Sequence, residues 1–256
     1  MTKKRPVALV TGGRRGIGLG IAKALAAAGF DIAITGIGDP DPADPALEDL
    51  KALGCDAHYF KGDLADVSNH AAVVDEIVRA LGNLDCLVNN AGMASVVRGD
   101  FLDLTPENYD AIMATNLRGT VFFTQTVLKT MLQAEASVPR TIVNITSVSA
   151  ALTSPERLDY CLGKAGLAAF TQGLALRLAE SGVSVFEVRP GIIRTDMTAK
   201  VSGKYDKLIA DGLVPMKRWG EASDIGGIVA SLASGKFAFA TGSVIDADGG
   251  LSIGRL

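Results

Sequence analysis

The stretch Val7-Ala-Leu-Val-Thr-Gly-Gly-Arg-Arg-Gly-Ile-Gly18 decides the fold. An apolar, β-rich run leads into three glycines in a G-x3-G-x-G spacing, and a helical pattern follows to about Ala28. Gly12 allows a tight turn off the strand, and Gly16 and Gly18 remove side chains where the backbone must approach a pyrophosphate. A helix that begins here offers free N–H groups and its positive dipole end to phosphates. The stretch therefore predicts a dinucleotide site at the first turn of a βαβ unit.

The alternation of strand and helix patterns continues along the whole chain. Strands are predicted at Val7–Thr11, Asp31–Thr35, Ala57–Lys61, Asp85–Asn89, Thr141–Ile145, Val183–Val188 and Ser243–Ala247, and further helices at 46–53, 68–81, 107–134, 158–181 and 223–233. The strands read as continuous apolar runs, which is typical of strands buried on both faces. We expect an α/β, doubly wound Rossmann fold, with a seven-stranded parallel sheet and helices on both faces, in a single domain covering 1–256.

Two weakly patterned segments interrupt this alternation. The proline-rich stretch 39–45 indicates a rigid surface turn before a helix. Residues 195–218 form the longest such segment, and we interpret them as a mobile lid over the substrate.

Composition narrows the classes of partner. Apolar residues make up 48%, charged residues 21%, and the net charge is −3, which gives no electrostatic reason to expect nucleic acid or an anionic membrane. The three cysteines are unclustered and match neither a disulfide framework nor a zinc spacing. Together with the lack of a long apolar run, this predicts a cytoplasmic protein. His58 and His70 lack neighbouring ligands, so no metal is expected.

The choice of dinucleotide depends on charges around the glycine loop. An acidic residue at the end of the second strand would bind the ribose 2′-hydroxyl of NAD, but that strand ends in Gly36. Asp39 follows soon after, among prolines. Arg14 and Arg15 place positive charge beside the loop, which suits a 2′-phosphate. We favour NADP(H) and leave NAD(H) open.

Tyr160 and Lys164 stand four residues apart in a helical pattern, on one helix face. At about 4 Å, a lysine would attract an ionised phenol by roughly 4 kcal/mol, enough to lower the phenol pKa by about three units. Such a phenol could serve as an acid/base near neutral pH. Ser147 follows the fifth strand at the ligand-binding edge of the sheet, and Asn116 is an amide within a long helix, where it needs a partner.

These motifs together resemble the short-chain dehydrogenases/reductases, in their main single-domain branch of the 3-oxoacyl-acyl-carrier-protein reductase type. The resemblance extends from Val7 to about Gly250 and includes Asn89-Asn90-Ala91-Gly92, Tyr160-x3-Lys164 and Asp248-Gly249-Gly250. It implies that Tyr160 is the acid/base, that Lys164 holds the nicotinamide ribose, that Ser147 binds the substrate oxygen and that Asn116 holds a water. It also implies a cofactor-binding set made of Gly12, Arg14, Arg15, Gly16, Ile17, Gly18, Asp63, Leu64, Asn89, Ala91, Gly92, Tyr160, Lys164, Pro190, Gly191, Ile193 and Thr195. Within it, Asp63 would meet the adenine amino group and Asn89 would line the cleft.

The implied activity is direct hydride transfer between a nicotinamide and a carbonyl or secondary alcohol, in a homotetramer or homodimer. Residues Met93 to Val97, Ser149 to Glu156 and the 195–218 segment, with Met197, would bound the substrate. The stretch before the fifth strand lacks the basic residues that an acidic carrier protein would need, although Arg177 could supply one contact. Two alternatives are a catalytically silent dinucleotide sensor and a sugar-nucleotide epimerase or dehydratase of the longer relatives.

Overall fold

The computed structural model describes residues 5–134, 136, 138–196 and 202–255. Its seven strands are β1 Val7–Thr11, β2 Asp31–Gly36, β3 Ala57–Lys61, β4 Cys86–Asn89, β5 Arg140–Ile145, β6 Val183–Pro190 and β7 Val244–Ala247. They form one parallel sheet in the order β3-β2-β1-β4-β5-β6-β7. The order reverses between β1 and β4, which opens a ligand-binding crevice at their carboxyl ends. The predicted fold class and strand number are confirmed.

Helices cover both faces of this sheet. They are α1 Gly16–Ala27, α2 Pro45–Ala52, α3 His70–Leu81, α4 Pro106–Met113, α5 Thr120–Gln133, α6 Leu158–Leu178, α7 Ser202–Ala210 and α8 Ala222–Ala233. Alternate strand residues point to opposite faces. Val10 therefore packs with α1 and α8 in one core cluster, whereas Leu9 packs with α3, α5 and α6 in the other.

The proline-rich stretch leads into α2 through a helix cap. Asp44 accepts a hydrogen bond from the Ala46 amide at 3.0 Å, and Pro45 occupies the first helical position. A short polar cap followed by proline is a strong helix start, because proline needs no backbone donor there. The prediction of a turn before a helix is confirmed.

The predicted single helix over 107–134 is wrong in detail. A π-helical segment, Ala114–Gly119, separates α4 from α5. A Cβ on Gly119 would lie 2.1 Å from the Leu64 carbonyl oxygen, so this wide turn packs directly against the neighbouring loop. Apolar periodicity does not reveal such a local change of hydrogen-bond register, and π-turns are frequent at functional sites.

The 195–218 segment is more ordered than its sequence pattern indicates. It contains α7, and Ile209, Val214 and Trp219 form a small buried cluster at its end. Part of the predicted lid, 197–201 with Met197, lies outside the described residues.

Candidate active site

The glycine loop has the backbone shape that its sequence predicts. Gly12 and Gly16 have φ values of 66° and 54°, in the left-handed region that favours glycine. A Cβ on Gly18 would lie 2.2 Å from the Gly12 carbonyl oxygen, so the start of α1 packs against the loop with no room for a side chain. The first amides of α1 are thereby presented at the crevice, as an anion-binding loop requires. Ile17 directs its side chain into the core below.

Hydrogen bonds join this loop to the end of β4. The Thr11 hydroxyl accepts from the Asn90 and Ala91 amides, both at 3.0 Å. The Asn90 side chain donates to the Thr11 and Gly12 carbonyls at 2.9 and 3.3 Å. These bonds fix the spacing between the two strand ends that border the crevice.

The Asn89 side chain turns into the core, so only the backbone of Asn89 is left to line the cleft as predicted. Asn89 is only 2% exposed, and its amide donates to Thr124 at 2.8 Å and to Asn144 at 2.7 Å. Asn144 in turn donates to Thr171 at 2.8 Å, which completes a polar row from α5 to α6 along one face of the sheet. Strand alternation turns Asn89 into the core, and its neighbour Asn90 meets the glycine loop instead.

The two arginines of the glycine loop, Arg14 and Arg15, differ in their partners. The Arg14 Nε donates to the Asp44 carboxylate at 2.6 Å, and its guanidinium carbon lies 4.5 Å from the centroid of the Tyr59 ring. A second nitrogen donates to the Asp39 carbonyl at 3.1 Å. Arg15, by contrast, is 82% exposed, and the carboxylate that it pairs with is itself 77% exposed and lies 4.0 Å away. Arg14 is therefore already neutralised, whereas Arg15 is available to an anion.

The predicted adenine side is formed by the loop after β3. Asp63 is exposed in a surface groove that Ile37 and Lys61 also line. Leu64 is buried, and His70 contacts its carbonyl oxygen at 3.0 Å. The Leu64 side chain is therefore not exposed to a cofactor.

Tyr160 lies at the start of α6, and Ser147 lies beyond the end of β5, where its hydroxyl acts on the Tyr160 phenol. Burial raises the pKa of Tyr160, an effect that the Ser147 hydroxyl and the charges of Arg157 and Arg98 oppose. The expectation of a pKa lowered by Lys164 is wrong for the free protein. The phenol is protonated at neutral pH and can donate a proton.

Lys164 lies behind the tyrosine ring rather than beside its hydroxyl. Its ammonium nitrogen is 5.7 Å from the ring centroid and donates to the Ile145 carbonyl at 2.9 Å. The side chain is 5% exposed, and burial lowers its pKa to about 8, against the opposing effect of Glu187. Lys164 thus retains its charge at neutral pH, one helical turn from Tyr160.

Asn116 lies in the π-helical segment and is 1% exposed. Its side chain accepts from the Met93 amide and donates to the Met93 carbonyl, both at 2.8 Å. The predicted need of this amide for a partner is met by the main chain of the loop after β4. A Cβ on Gly92 would lie 3.1 Å from the Asn116 side-chain oxygen and 3.7 Å from the Lys164 ammonium, so the three residues adjoin.

The remaining predicted cofactor residues follow β6. Pro190 is buried at the strand end, and a Cβ on Gly191 would lie 2.7 Å from Asp248. Ile193 bridges to Gly220. The Thr195 methyl would lie 3.5 Å from a Cβ on Gly16, which brings the loop after β6 across the crevice from the glycine loop.

Several polar residues of this region are not found by sequence reasoning. Asp159 is 1% exposed and accepts at 2.7 Å from both the Ser95 hydroxyl and the Tyr160 amide. Glu187 is fully buried and accepts from Thr146 at 2.7 Å and from Arg189 at 2.6 Å. No local motif marks either carboxylate.

Residues 12–252 match the sequence model of a family described as enoyl-(acyl carrier protein) reductase. The 3-oxoacyl-[acyl-carrier-protein] reductase of Staphylococcus aureus (strain Mu50 / ATCC 700699) is 35% identical over 98% of both chains. The acetoacetyl-CoA reductase of Cupriavidus necator is 37% identical over 97% of this chain and 98% of its own. A crystal structure of 3-oxoacyl-[acyl-carrier protein] reductase from Brucella melitensis in complex with NAD covers 100% of both chains, with 66% identity and a TM-score of 0.97.

The chain belongs to the short-chain dehydrogenase/reductase family. It is a nicotinamide-dependent oxidoreductase that transfers hydride between the cofactor and a carbonyl or secondary alcohol, and the predictions of reaction class and dinucleotide cofactor are confirmed. The silent-sensor alternative has no support in these relatives. In the described part of this dehydrogenase/reductase, no helix has the length and apolarity needed to cross a bilayer. The same residues contain no cluster of three potential metal-binding side chains.

Proposed function

We propose that the protein reduces a small carbonyl substrate with Tyr160 as the general acid. The observation that carries this proposal is the Lys164 ammonium behind the Tyr160 ring, with the Ser147 hydroxyl acting on a phenol that burial keeps protonated. A substrate carbonyl oxygen placed between Ser147 and Tyr160 would accept hydrogen bonds from both hydroxyls. Both donors would stabilise the negative charge that develops on that oxygen, and Tyr160 would then transfer its proton to it.

The residues that surround the crevice fit a nicotinamide dinucleotide. The glycine loop and the first turn of α1 would bind the pyrophosphate, and the Lys164 ammonium would hold the nicotinamide ribose. Pro190, Gly191, Ile193 and Thr195 would position the nicotinamide ring, because their loop faces the glycine loop across the crevice. When bound in its reduced form, the cofactor supplies the hydride.

The contacts of Asn116 support its proposed role and the path by which Tyr160 regains a proton. Met93 engages one N–H and one lone pair of the Asn116 amide, and the remaining N–H and lone pair would hold the water of a proton relay behind Lys164. Asn116 itself would position the loop after β4 over Lys164. This arrangement gives Tyr160 a route to recover a proton after each turnover.

The same proposal favours NADP(H). Arg15 is 82% exposed at the start of α1, so its guanidinium can bind a 2′-phosphate without first giving up a close ion pair. Arg14 contributes less charge than its sequence position indicates, because Asp44 is 2.6 Å away. The Asp39 side chain pairs with Lys61 at 2.6 Å rather than standing free for a ribose hydroxyl.

The proposal is tested by Tyr160→Phe, with Tyr109→Phe on α4 as the matched control. Removing the general acid should lower turnover by about 100- to 10,000-fold and leave cofactor affinity near that of the wild type. Turnover is measured as loss of reduced-nicotinamide absorbance and cofactor binding by fluorescence. Retention of more than a few percent of activity in Tyr160→Phe would refute the assignment.

Assembly and location belong to the same proposal. On α5 and α6, Phe122, Leu162 and Leu176 expose 40%, 53% and 82% of their surface, which supports a homotetramer or homodimer that pairs these helices. A monomer by light scattering would contradict it.

Three buried free thiols support the cytoplasm as the compartment. Residues 1–256 would act as one domain, with 195–218 covering the substrate.

A further inference from the structure

Two arginines outside the cofactor-binding set, Arg98 and Arg157, lie near Tyr160. The Arg157 guanidinium carbon is 5.5 Å from the centroid of the Tyr160 ring. Arg98 belongs to the loop after β4, which is joined to the segment before α6 by a hydrogen bond from the Gly99 amide to the Glu156 carbonyl at 3.2 Å. Both charges oppose the rise in the Tyr160 pKa, that of Arg157 more strongly than that of Arg98.

No acidic side chain in the described residues forms an ion pair with Arg98 or Arg157. The nearby Asp100 carboxylate caps a short helical turn by accepting from the Leu102 amide at 3.0 Å. Asp159 is 1% exposed and turned toward Ser95 and its own helix. Within the described part of the chain, the positive charge beside the reacting tyrosine therefore has no close counter-ion.

Arg157 also lies where the dipole of helix α6 adds to the local positive potential. It immediately precedes Leu158, the first residue of the 21-residue helix α6. A cation at a helix N-terminus is unfavourable, because the helix dipole presents its positive end there. The contact of the Arg157 guanidinium with the Tyr160 ring offsets part of this cost.

We propose that the substrate is a small oxo or hydroxy carboxylic acid whose free carboxylate is bound by Arg157 and Arg98. This inference rests on the proposed function, because it places the substrate carbonyl at Tyr160. The guanidinium lies so near the tyrosine ring that the anion must be only a few carbons from the reacting carbonyl. A pantetheine thioester has no charge at that position, since a long chain of single bonds separates its phosphate from the carbonyl. Bidentate binding of a carboxylate is the geometry that arginine favours.

The test measures binding rather than turnover, so that its failure is distinguishable from failure of the proposed function. The Tyr160→Phe protein is loaded with NADPH and titrated by calorimetry with acetoacetate, methyl acetoacetate and acetoacetyl-CoA. These probes share one carbonyl and carry a carboxylate, a neutral ester and a thioester with remote phosphates. We expect acetoacetate to bind about 10- to 100-fold more tightly than the ester, the range for a hydrogen bond to a charged group.

Arg157→Gln and Arg98→Gln are then introduced singly, with the exposed Arg79→Gln on α3 as the matched control. The preference for the acid over the ester should fall at least tenfold in Arg157→Gln and should persist in Arg79→Gln. Equal binding of acid and ester, tighter binding of the thioester, or a preference that survives both active-site substitutions would overturn the inference. Loss of activity in Tyr160→Phe is scored separately and concerns only the proposed function.

Discussion

Replacing Lys164 with Met should stabilise the folded protein at neutral pH while it removes activity. Lys164 is 5% exposed, and its pKa falls from 10.5 to about 8 on burial. A fall of this size corresponds to a cost of about 3 kcal/mol for keeping the ammonium charged in the folded state. The substitution also deletes the 2.9 Å hydrogen bond from the charged ammonium to the Ile145 carbonyl, which offsets about 2 kcal/mol of the gain. The net gain is about 1 kcal/mol, or about 2–4 °C in Tm for a chain of this size.

The pH dependence identifies the cause of this gain. Below pH 8, Lys164 is charged in both the folded and the unfolded states, and the folded protein bears the full cost. Between pH 8 and 10.5, the unfolded chain still binds a proton that the folded protein has released, so the wild type gains stability as the pH rises. The advantage of Lys164→Met should therefore shrink across this range.

The assay is urea unfolding of both proteins at pH 7 and at pH 9.5, followed by circular dichroism. Lys61→Met, which removes an exposed lysine paired with Asp39, is the matched control and should show no gain at pH 7. If Lys164→Met is less stable than the wild type at pH 7, or if the difference between them is the same at both pH values, the reasoning is wrong.

Two further predictions concern residues that hold others in place. Asp44→Asn should raise kcat/KM for NADPH relative to NADH by about tenfold, because it frees the charge of Arg14. Asparagine still caps α2, so an unchanged melting temperature with an unchanged cofactor ratio would contradict this role for Asp44. Asn116→Ala should lower the free energy of unfolding by about 2 kcal/mol, because the amide and carbonyl of Met93 lose their partner. It should also slow turnover, and wild-type stability in urea would show that these two hydrogen bonds contribute little.

The sequence is most informative where function depends on the backbone. The glycine spacing predicts the turn after β1, because positive φ angles at Gly12 and Gly16 and the close packing at Gly18 exclude most other residues. The strands are predictable for a related reason, since continuous apolar runs indicate burial on both faces.

Side-chain partners are less predictable, because they depend on contacts between distant segments. The sequence places Lys164 one turn from Tyr160 but does not reveal that its ammonium bonds to the Ile145 carbonyl. It singles out Arg14 but not its partner Asp44, although an Asp before a proline is itself a helix-start signal that could have been used. The π-helical segment at Asn116 has no counterpart in apolar periodicity, because one altered turn leaves the pattern on either side nearly intact.

The polar row that joins Thr124, Asn89, Asn144 and Thr171 constrains how the interior of this protein can change. Loss of any single member would leave a neighbouring buried amide or hydroxyl without a hydrogen-bond partner, at a cost of about 1–3 kcal/mol of stability. Simultaneous exchange of all four for apolar groups of similar shape would be far less costly. Substitution of one position at a time is thus destabilising at every step, and we expect the four residues to be replaced together or not at all.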